Sequence, residues 1–345
     1  MRAILTTFIA VISITLLGTA VASADFPGRN GRVTFMRDDE HHVRQIWVAT
    51  ADLRHQTQLS AEDADSGFPV WAPNGSRIAF DTARADPDPA DDTAINDVFT
   101  MRPDGSDVRS LTHAVGFSAD PAYSPDGRTI VFDTDLGDPA NKQGIYLMSA
   151  ADGSHLRRVT SLPQGYESDQ APRFSPDGEW IEFTRYRLQD RGPDQPPLEQ
   201  SALFLVRPNG SGLRQMTSFD LLVGDGDWSP DGRRIVFETN GDVPSGVLPD
   251  IYVLNAQGRN LTNITQNTLG PDGTLNLSSD PVWSPDGRLI LFLDGHDAPG
   301  SIKEGLATMR PDGSDRHFVS PMPQFEHQPD WESISRDHQE TPRPQ

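Results

Sequence analysis

"DPVWSPDGRLILF", Asp280 to Phe292, decides the fold, because the chain repeats it. Near-copies are "PVWAPNGSRIAF" (Pro69 to Phe80), "DPAYSPDGRTIVF" (Asp120 to Phe132), "APRFSPDGEWIEF" (Ala171 to Phe183) and "GDWSPDGRRIVF" (Gly226 to Phe237). The aromatic before the turn falls at Trp71, Tyr123, Phe174, Trp228, Trp283 and Trp331, at intervals of 52, 51, 54, 55 and 48 residues. Between these units lies a second one, as in "DVFTMRPDGSDVRSLT" (Asp97 to Thr112) and "DIYVLNAQGRNLTNIT" (Asp250 to Thr265), with "QIWVATADLRHQTQLS" (Gln45 to Ser60) as its most diverged copy. A period near fifty with two hairpins per repeat predicts four short strands, A to D, and therefore propeller blades. In Ser-Pro-Asp-Gly the proline presets φ for the turn and the glycine supplies φ > 0, so the motif joins strands A and B. A motif copied into every blade is architecture, and the turn aspartates Asp126, Asp177, Asp231 and Asp286 are read as structural.

The two ends fit together. Trp331 closes a strand A ("HQPDW") with no B, C or D after it, while "GRVTF" (Gly31 to Phe35) is a strand B with no A before it. The expected fold is all-β: a six-bladed β-propeller of four-stranded antiparallel blades, the ring closed by a C-terminal strand pairing with the N-terminal blade.

These residues resemble the TolB-like propeller repeats, also called WD-like repeats, over roughly Gly31 to Trp331. The resemblance implies a periplasmic protein-interaction module. Only a few residues separate the first strand from the N-terminal apolar segment, so the chain is expected to lack the α/β domain that precedes the propeller in TolB. Similar propellers also precede peptidase domains, but no G-x-S-x-G nucleophile elbow occurs in this sequence.

Composition narrows the function. The 345 residues include 29 Gly, 29 Pro and no Cys, with a formal net charge of −21. Disulfides and zinc-thiolate sites are excluded, and nucleic acid and anionic lipid are disfavoured as partners. The start, "MRAILTTFIAVISITLLGTAVASA", places Arg2 before a short apolar run and ends on Ala22-Ser23-Ala24. It reads as a secretory signal (1–24) cut after Ala24, because the run is too short for an anchor and is broken by Gly18 and Thr19. Residues 25–334 are expected to form the propeller and 335–345 a disordered tail, giving a secreted or periplasmic monomer without membrane insertion.

Two places could carry function. The long insertions all fall in B–C connections, such as Asp81 to Asp97 and Thr184 to Ser201, so one end of the ring is the expected binding face. Ahead of each strand-A aromatic stands a polar residue: Asp65, Asp120, Asp169, Asp225, Asp280, and in the closing blade Glu326 with His327. If these line the channel mouth they form an acidic ring that would favour a basic partner or Ca²⁺, with Asp120, Asp169, Asp225 and Asp280 as the possible calcium ligands; no cofactor is otherwise expected. Capping of the strand starts is the competing reading. "DTDLGD" (Asp133, Asp135, Asp138) is a faint calcium-loop start, His41 and His42 form an exposed pair, and Asn260 and Asn263 are glycosylation acceptors only in a eukaryote. The expected function is a module binding a protein or peptide through the long-loop face and channel mouth. The alternative is a polysaccharide lyase or hydrolase with its site at that mouth.

Overall fold

The computed structural model describes residues 27–61, 64–86, 95–113, 116–136, 138, 142–190, 198–239, 249–268, 276–298, 301–319 and 326–335. Residues 1–24, expected to be a secretory signal, residues 336–345 of the expected tail, and residues 87–94, 191–197 and 240–248 of the B–C connections lie outside these.

Twenty-four strands among the described residues build six four-stranded antiparallel sheets. Blade 1 holds β1 (Arg29–Asp38), β2 (Arg44–Ala49) and β3 (Gln56–Gln58); blade 2 holds β4 (Ser66–Trp71), β5 (Ile78–Thr82), β6 (Asp97–Met101) and β7 (Arg109–Ser110). Blade 3 comprises β8 (Ser118–Tyr123), β9 (Thr129–Thr134), β10 (Gly144–Ser149) and β11 (Arg157–Arg158). Blade 4 comprises β12 (Tyr166–Phe174), β13 (Ile181–Gln189), β14 (Leu198–Val206) and β15 (Arg214–Gln215). Blade 5 has β16 (Val223–Trp228), β17 (Arg234–Thr239), β18 (Ile251–Asn255) and β19 (Thr262–Asn263); blade 6 has β20 (Leu277–Trp283), β21 (Ile290–Ala298), β22 (Ser301–Met309) and β23 (His317–Phe318). The last strand, β24 (Glu326–Ile334), pairs with β1 and completes blade 1 in the order β24-β1-β2-β3, so the six-bladed propeller closes as the sequence predicts.

In blades 3 to 6 the turn between the first two strands is held by its own aspartate, and in blade 2 Asn74 takes that place. Asp126 Oδ1 accepts from Ser124 Oγ (2.7 Å) and Arg128 N (3.0 Å), Gly127 N donates to Ser124 O (2.8 Å), and Gly127 takes φ +67°. Asp177, Asp231 and Asp286 accept the same pair of bonds. Two B–C connections differ from the loops expected. In blade 4 Thr184–Gln189 and Leu198–Ser201 carry the β13–β14 ladder onward, with Arg187 opposite Gln200, and β21 and β22 run on similarly to Ala298 and Ser301. The alternating "TRYRLQ" pattern suits a ladder with one polar face, which a reading by Pro and Asp content passes over.

The core consists of six clusters, one per blade interface, and each contains one repeat aromatic. Trp283 packs with Val236, Ile251 and Val253 of blade 5, and Trp331 with Leu291 and Leu306 of blade 6. The indole N–H groups of Trp71, Trp228, Trp283 and Trp331 are buried without an acceptor, so these rings are there for their volume. At the closure Arg32 holds Glu332 through Nε and Nη2, each at 2.9 Å, and buried Arg37 pairs with Glu326. Trp283→Ala should cost about 3–5 kcal/mol, the range for deleting a buried aromatic, measured by urea unfolding. A near-wild-type value would contradict the inter-blade role.

Candidate functional site

The channel is shaped by an irregularity that every innermost strand shares. In each, the pairing shifts register three residues before the aromatic, at Phe68, Asp120, Ala171, Asp225, Asp280 and Gln328. Five of these six residues adopt a left-handed φ of about 50°, from 49° to 52°, and each of the five precedes a proline. A proline has no N–H to give the ladder, so the bulge falls where the pairing loses least. Asp225 is the exception: Gly226 follows it, and a Cβ there would lie 3.0 Å from Glu182 Oε2.

Turned out of the ladder, the bulge amide is met by an acid on the second strand of the preceding blade. Asp120 N donates to Asp81 Oδ2 (3.3 Å), Asp280 N to Glu238, and Ala171 N to Asp133 and to Asp120 Oδ2 (3.2 Å). Asp81, Asp133 and Glu238 each follow the buried strand phenylalanine, as Phe80-Asp81-Thr82, Phe132-Asp133-Thr134 and Phe237-Glu238-Thr239. The sequence reading put Asp81 and Asp133 in loops, not in the channel, and did not single out Glu238. Their signal was an acid inside a β-branched, aromatic strand, where charge is ordinarily absent. Asp227 and Asp330 act similarly one step along, accepting from Trp283 N (2.6 Å) and Trp71 N (2.7 Å).

The seven polar residues singled out from sequence do not form one ring. They stand at different distances from their aromatics, and the bulge admits only one register. Asp120, Asp225 and Asp280 occupy it and converge, with Gln328 Nε2 donating to Asp225 Oδ2 (2.9 Å) and Asp280 Oδ1 (2.7 Å), and His327 Nδ1 3.3 Å from Asp280 Oδ2. Asp65 instead forms a half-exposed pair with Arg44 at 2.6 Å. Asp169 is locked to Arg185 by two bonds of 2.5 and 2.7 Å, both side chains fully buried, and Glu326 pairs with Arg37. Asp169 is therefore engaged away from the other three residues named as possible calcium ligands. Among the described residues no group of three or more His, Asp or Glu side chains is arranged to hold a metal ion. Asp133 leaves the faint calcium-loop motif for the channel cluster, hydrogen-bonding the Asp120 carboxyl.

Burial governs the charge of this cluster. It raises Asp81 to about 8, with repulsion from Asp120 adding to the effect, and Asp225 to about 7, with Asp120 and Asp280 adding. Burial also lifts Asp120, and it lifts Asp133 and Glu238 well above the ordinary carboxylate range. Arg173 opposes the rise at Asp120 and Asp225. Carboxylates from blades 3, 5 and 6 thus face one another across the channel, and Asp225 is partly protonated at neutral pH. Asp120 Oδ1 and Asp133 Oδ1 are buried without a hydrogen-bond partner.

The comparisons bear on this architecture. A family model for the TolB beta propeller domain matches residues 19–191. The chain belongs to that family. An uncharacterized peptidase of Bacillus subtilis is 28% identical over 217 residues, which cover 54% of this chain and 31% of that protein, so the chain spans about a third of that relative's length. An uncharacterized protein of Agrobacterium fabrum is 27% identical over 246 residues, covering 68% of this chain and 74% of that one. The crystal structure of TolB from Acinetobacter baumannii superposes with a TM-score of 0.65 at 18% identity, over 87% of this chain and 66% of that one, a likeness of fold.

The raised carboxyls predict a pH dependence. Asp81 is protonated in both folded and unfolded chains below the ordinary carboxylate range, and its contribution to stability is fully present there. As pH rises toward about 8 the unfolded chain ionises first, so that contribution falls away. The unfolding free energy should therefore decline between about pH 5 and pH 8, with a shallower decline in Asp81→Asn. An identical slope in the variant would show that Asp81 titrates normally.

Proposed function

We propose that this TolB-family propeller works outside the cytoplasm as a binding module, taking a protein or peptide partner at the channel mouth on the end where the B–C connections lie. The observation that carries this reading is the surplus of acid there. Asp81, Asp133 and Glu238 have an architectural task in accepting bulge amides, whereas the side chains of Asp120, Asp225 and Asp280 crowd together at a cost that a cation from outside would relieve. A lysine or arginine of a partner segment supplies that cation. On arrival it lowers the carboxyl pKa values and drives protons off, so binding is coupled to proton release. In this reading the segment Met1 to Ala24 exports the chain. Among the described residues no helix is long and apolar enough to cross a membrane. Lyase or hydrolase chemistry would need an acid and a base free to act across one bond. The backbone amides and Gln328 that engage these carboxylates favour binding instead.

The test is calorimetric titration with a hexa-arginine peptide in two buffers of different ionisation enthalpy. Binding with net proton release is expected, and D120N/D225N/D280N should abolish it. The control D104N/D152N/D312N removes the same charge from exposed turns at the other end of the ring and should bind as wild type. Equal loss in both triple variants would reduce the effect to overall charge and contradict the proposal.

A further inference from the structure

The outer hairpins of the blades share one plan and differ in charge. Each offers an acid two places, one inside the turn and one three residues further on. They hold Asp104 and Asp107 in blade 2, and Asp312 and Asp315 in blade 6. Blade 1 keeps Asp52 and blade 3 keeps Asp152, each with a histidine, His55 or His155, in the second place. Blades 4 and 5 have no acid in either place: they hold Asn209 and Gly212, and Gln257 and Asn260. The turn does not demand this. Asn209 Oδ1 accepts from Ser211 N (3.0 Å) and Ser211 Oγ (2.7 Å), as Asp104 Oδ1 does from Ser106 at 3.0 and 2.6 Å. Asn260 has φ +58° and Asp107 +54°, so the backbone there accepts an aspartate equally well. At Gly212 a Cβ would lie 3.3 Å from the Trp180 ring, so that small residue has a packing reason.

The missing acids leave arginines unneutralised. In blade 2 Asp107 takes Arg77, Arg102 and Arg109 at 2.8 to 3.6 Å, in blade 6 Asp315 takes Arg310 at 3.5 Å, and in blade 1 Asp52 takes Arg54 at 3.6 Å. In blades 4 and 5, Arg214, Arg233 and Arg259 have no carboxylate within ion-pair distance among the described residues. Arg207 meets Glu179 at 3.6 Å, a contact with a 62% exposed side chain, and Asp231 is engaged in its own turn by Ser229 and Arg233 N. Unpaired arginines occur in other blades too, such as Arg288; what sets this surface apart is that its outer turns hold no acid to compete.

Printed contacts join these cations into one surface. Arg207 and Arg214 both lie over the Trp180 ring, at 4.5 and 4.6 Å. Arg214 Nη2 donates to Ala256 O (3.0 Å) across the blade interface, and Ala256 N donates to Arg233 O (2.9 Å). Stacking on an indole holds a guanidinium in place while its edge N–H groups still bond anions. Aliphatic side chains alternate with the charges: Leu213 precedes Arg214 and is 46% exposed, and Leu261 follows Asn260 and is 49% exposed.

We propose that the outer surface of blades 4 and 5 docks an acidic segment of a partner protein, one with aliphatic residues between its carboxylates. The carboxylates bond Arg207, Arg214 and Arg259, and the aliphatic side chains cover Leu213 and Leu261. The rest of the chain, at a net charge of −21, repels such a segment, so charge complementarity selects this surface for it. The site is separate from the channel mouth and does not rest on the binding of a basic partner there.

Calorimetric titration of the full chain with the capped peptide Glu-Glu-Leu-Glu-Glu-Leu-Glu-Glu, and with the same peptide carrying Gly for Leu, tests this. The first should bind one-to-one and the second about fivefold more weakly. N209D/N260D, which returns two carboxylates without changing side-chain size, should weaken binding about tenfold. R214Q/R259Q should do the same, whereas R102Q/R109Q, which removes equal charge from blade 2, should bind as wild type. No peptide binding, wild-type binding by N209D/N260D, equal loss in R102Q/R109Q, or equal affinity for the two peptides would each overturn the proposal. Binding to phosphatidylglycerol vesicles in place of the peptide would assign the surface to a membrane, and a dimer in sedimentation that N209D/N260D dissociates would assign it to a second copy. Either result also overturns it.

Discussion

The structure depends on one recurring contact, the bulge amide of the innermost strand in blades 3, 4 and 6 meeting a carboxylate across the blade interface. A bulge in a β-ladder leaves an N–H without its ladder partner, and a buried N–H without an acceptor is costly. Here the preceding blade supplies the acceptor at Asp81, Asp133 and Glu238. The contact ties these blades to their neighbours, and at every interface a repeat aromatic fills the space between blades. Apolar packing supplies most of the stability; the amide–carboxylate contacts set its geometry.

The same contact explains why the channel is acidic and why its acids are weak. A carboxylate placed to accept an inter-blade amide must sit inside the ring, where desolvation raises its pKa. Adding Asp120, Asp225 and Asp280 at the bulges brings further carboxylates within reach of one another: Asp120 helps raise Asp81, and Asp120 with Asp280 helps raise Asp225. Arg173, His327 and Gln328 temper this without removing it. The channel thus stores an unfavourable arrangement that a cationic partner can improve, while the exposed turn aspartates of the other end, such as Asp104 and Asp152, stay ionised below the usual range through their serine bonds.

Most of the fold was legible because the turn chemistry and the aromatics are written into every repeat, and because "HQPDW" and "GRVTF" are complementary fragments of one blade. The site was legible only in part. Asp120, Asp225 and Asp280 were recognised, yet Asp65, Asp169 and Glu326 were grouped with them although they lie further ahead of their aromatics. The bulge makes that spacing matter, since a shift of one residue turns a side chain to the other face. Its mark, a proline two residues before the aromatic in five repeats, was visible but unused. Asp81, Asp133 and Glu238 were not placed in the channel because an acid after a strand phenylalanine resembles the start of a polar loop. The extended ladder of blade 4 was overlooked for a related reason, since proline content outweighed the alternation in "TRYRLQ".

The central claim is that burial and mutual repulsion hold the channel carboxyls protonated into the neutral range. Carboxyl ¹³C NMR titration of the folded chain, with Asp81 and Asp225 assigned by single asparagine substitutions, measures this directly. The account predicts that Asp225 titrates near 7 and Asp81 near 8. If both instead titrate in the ordinary range, near 4, the channel is wetter and less crowded than described here, and its readiness for a cationic partner is contradicted.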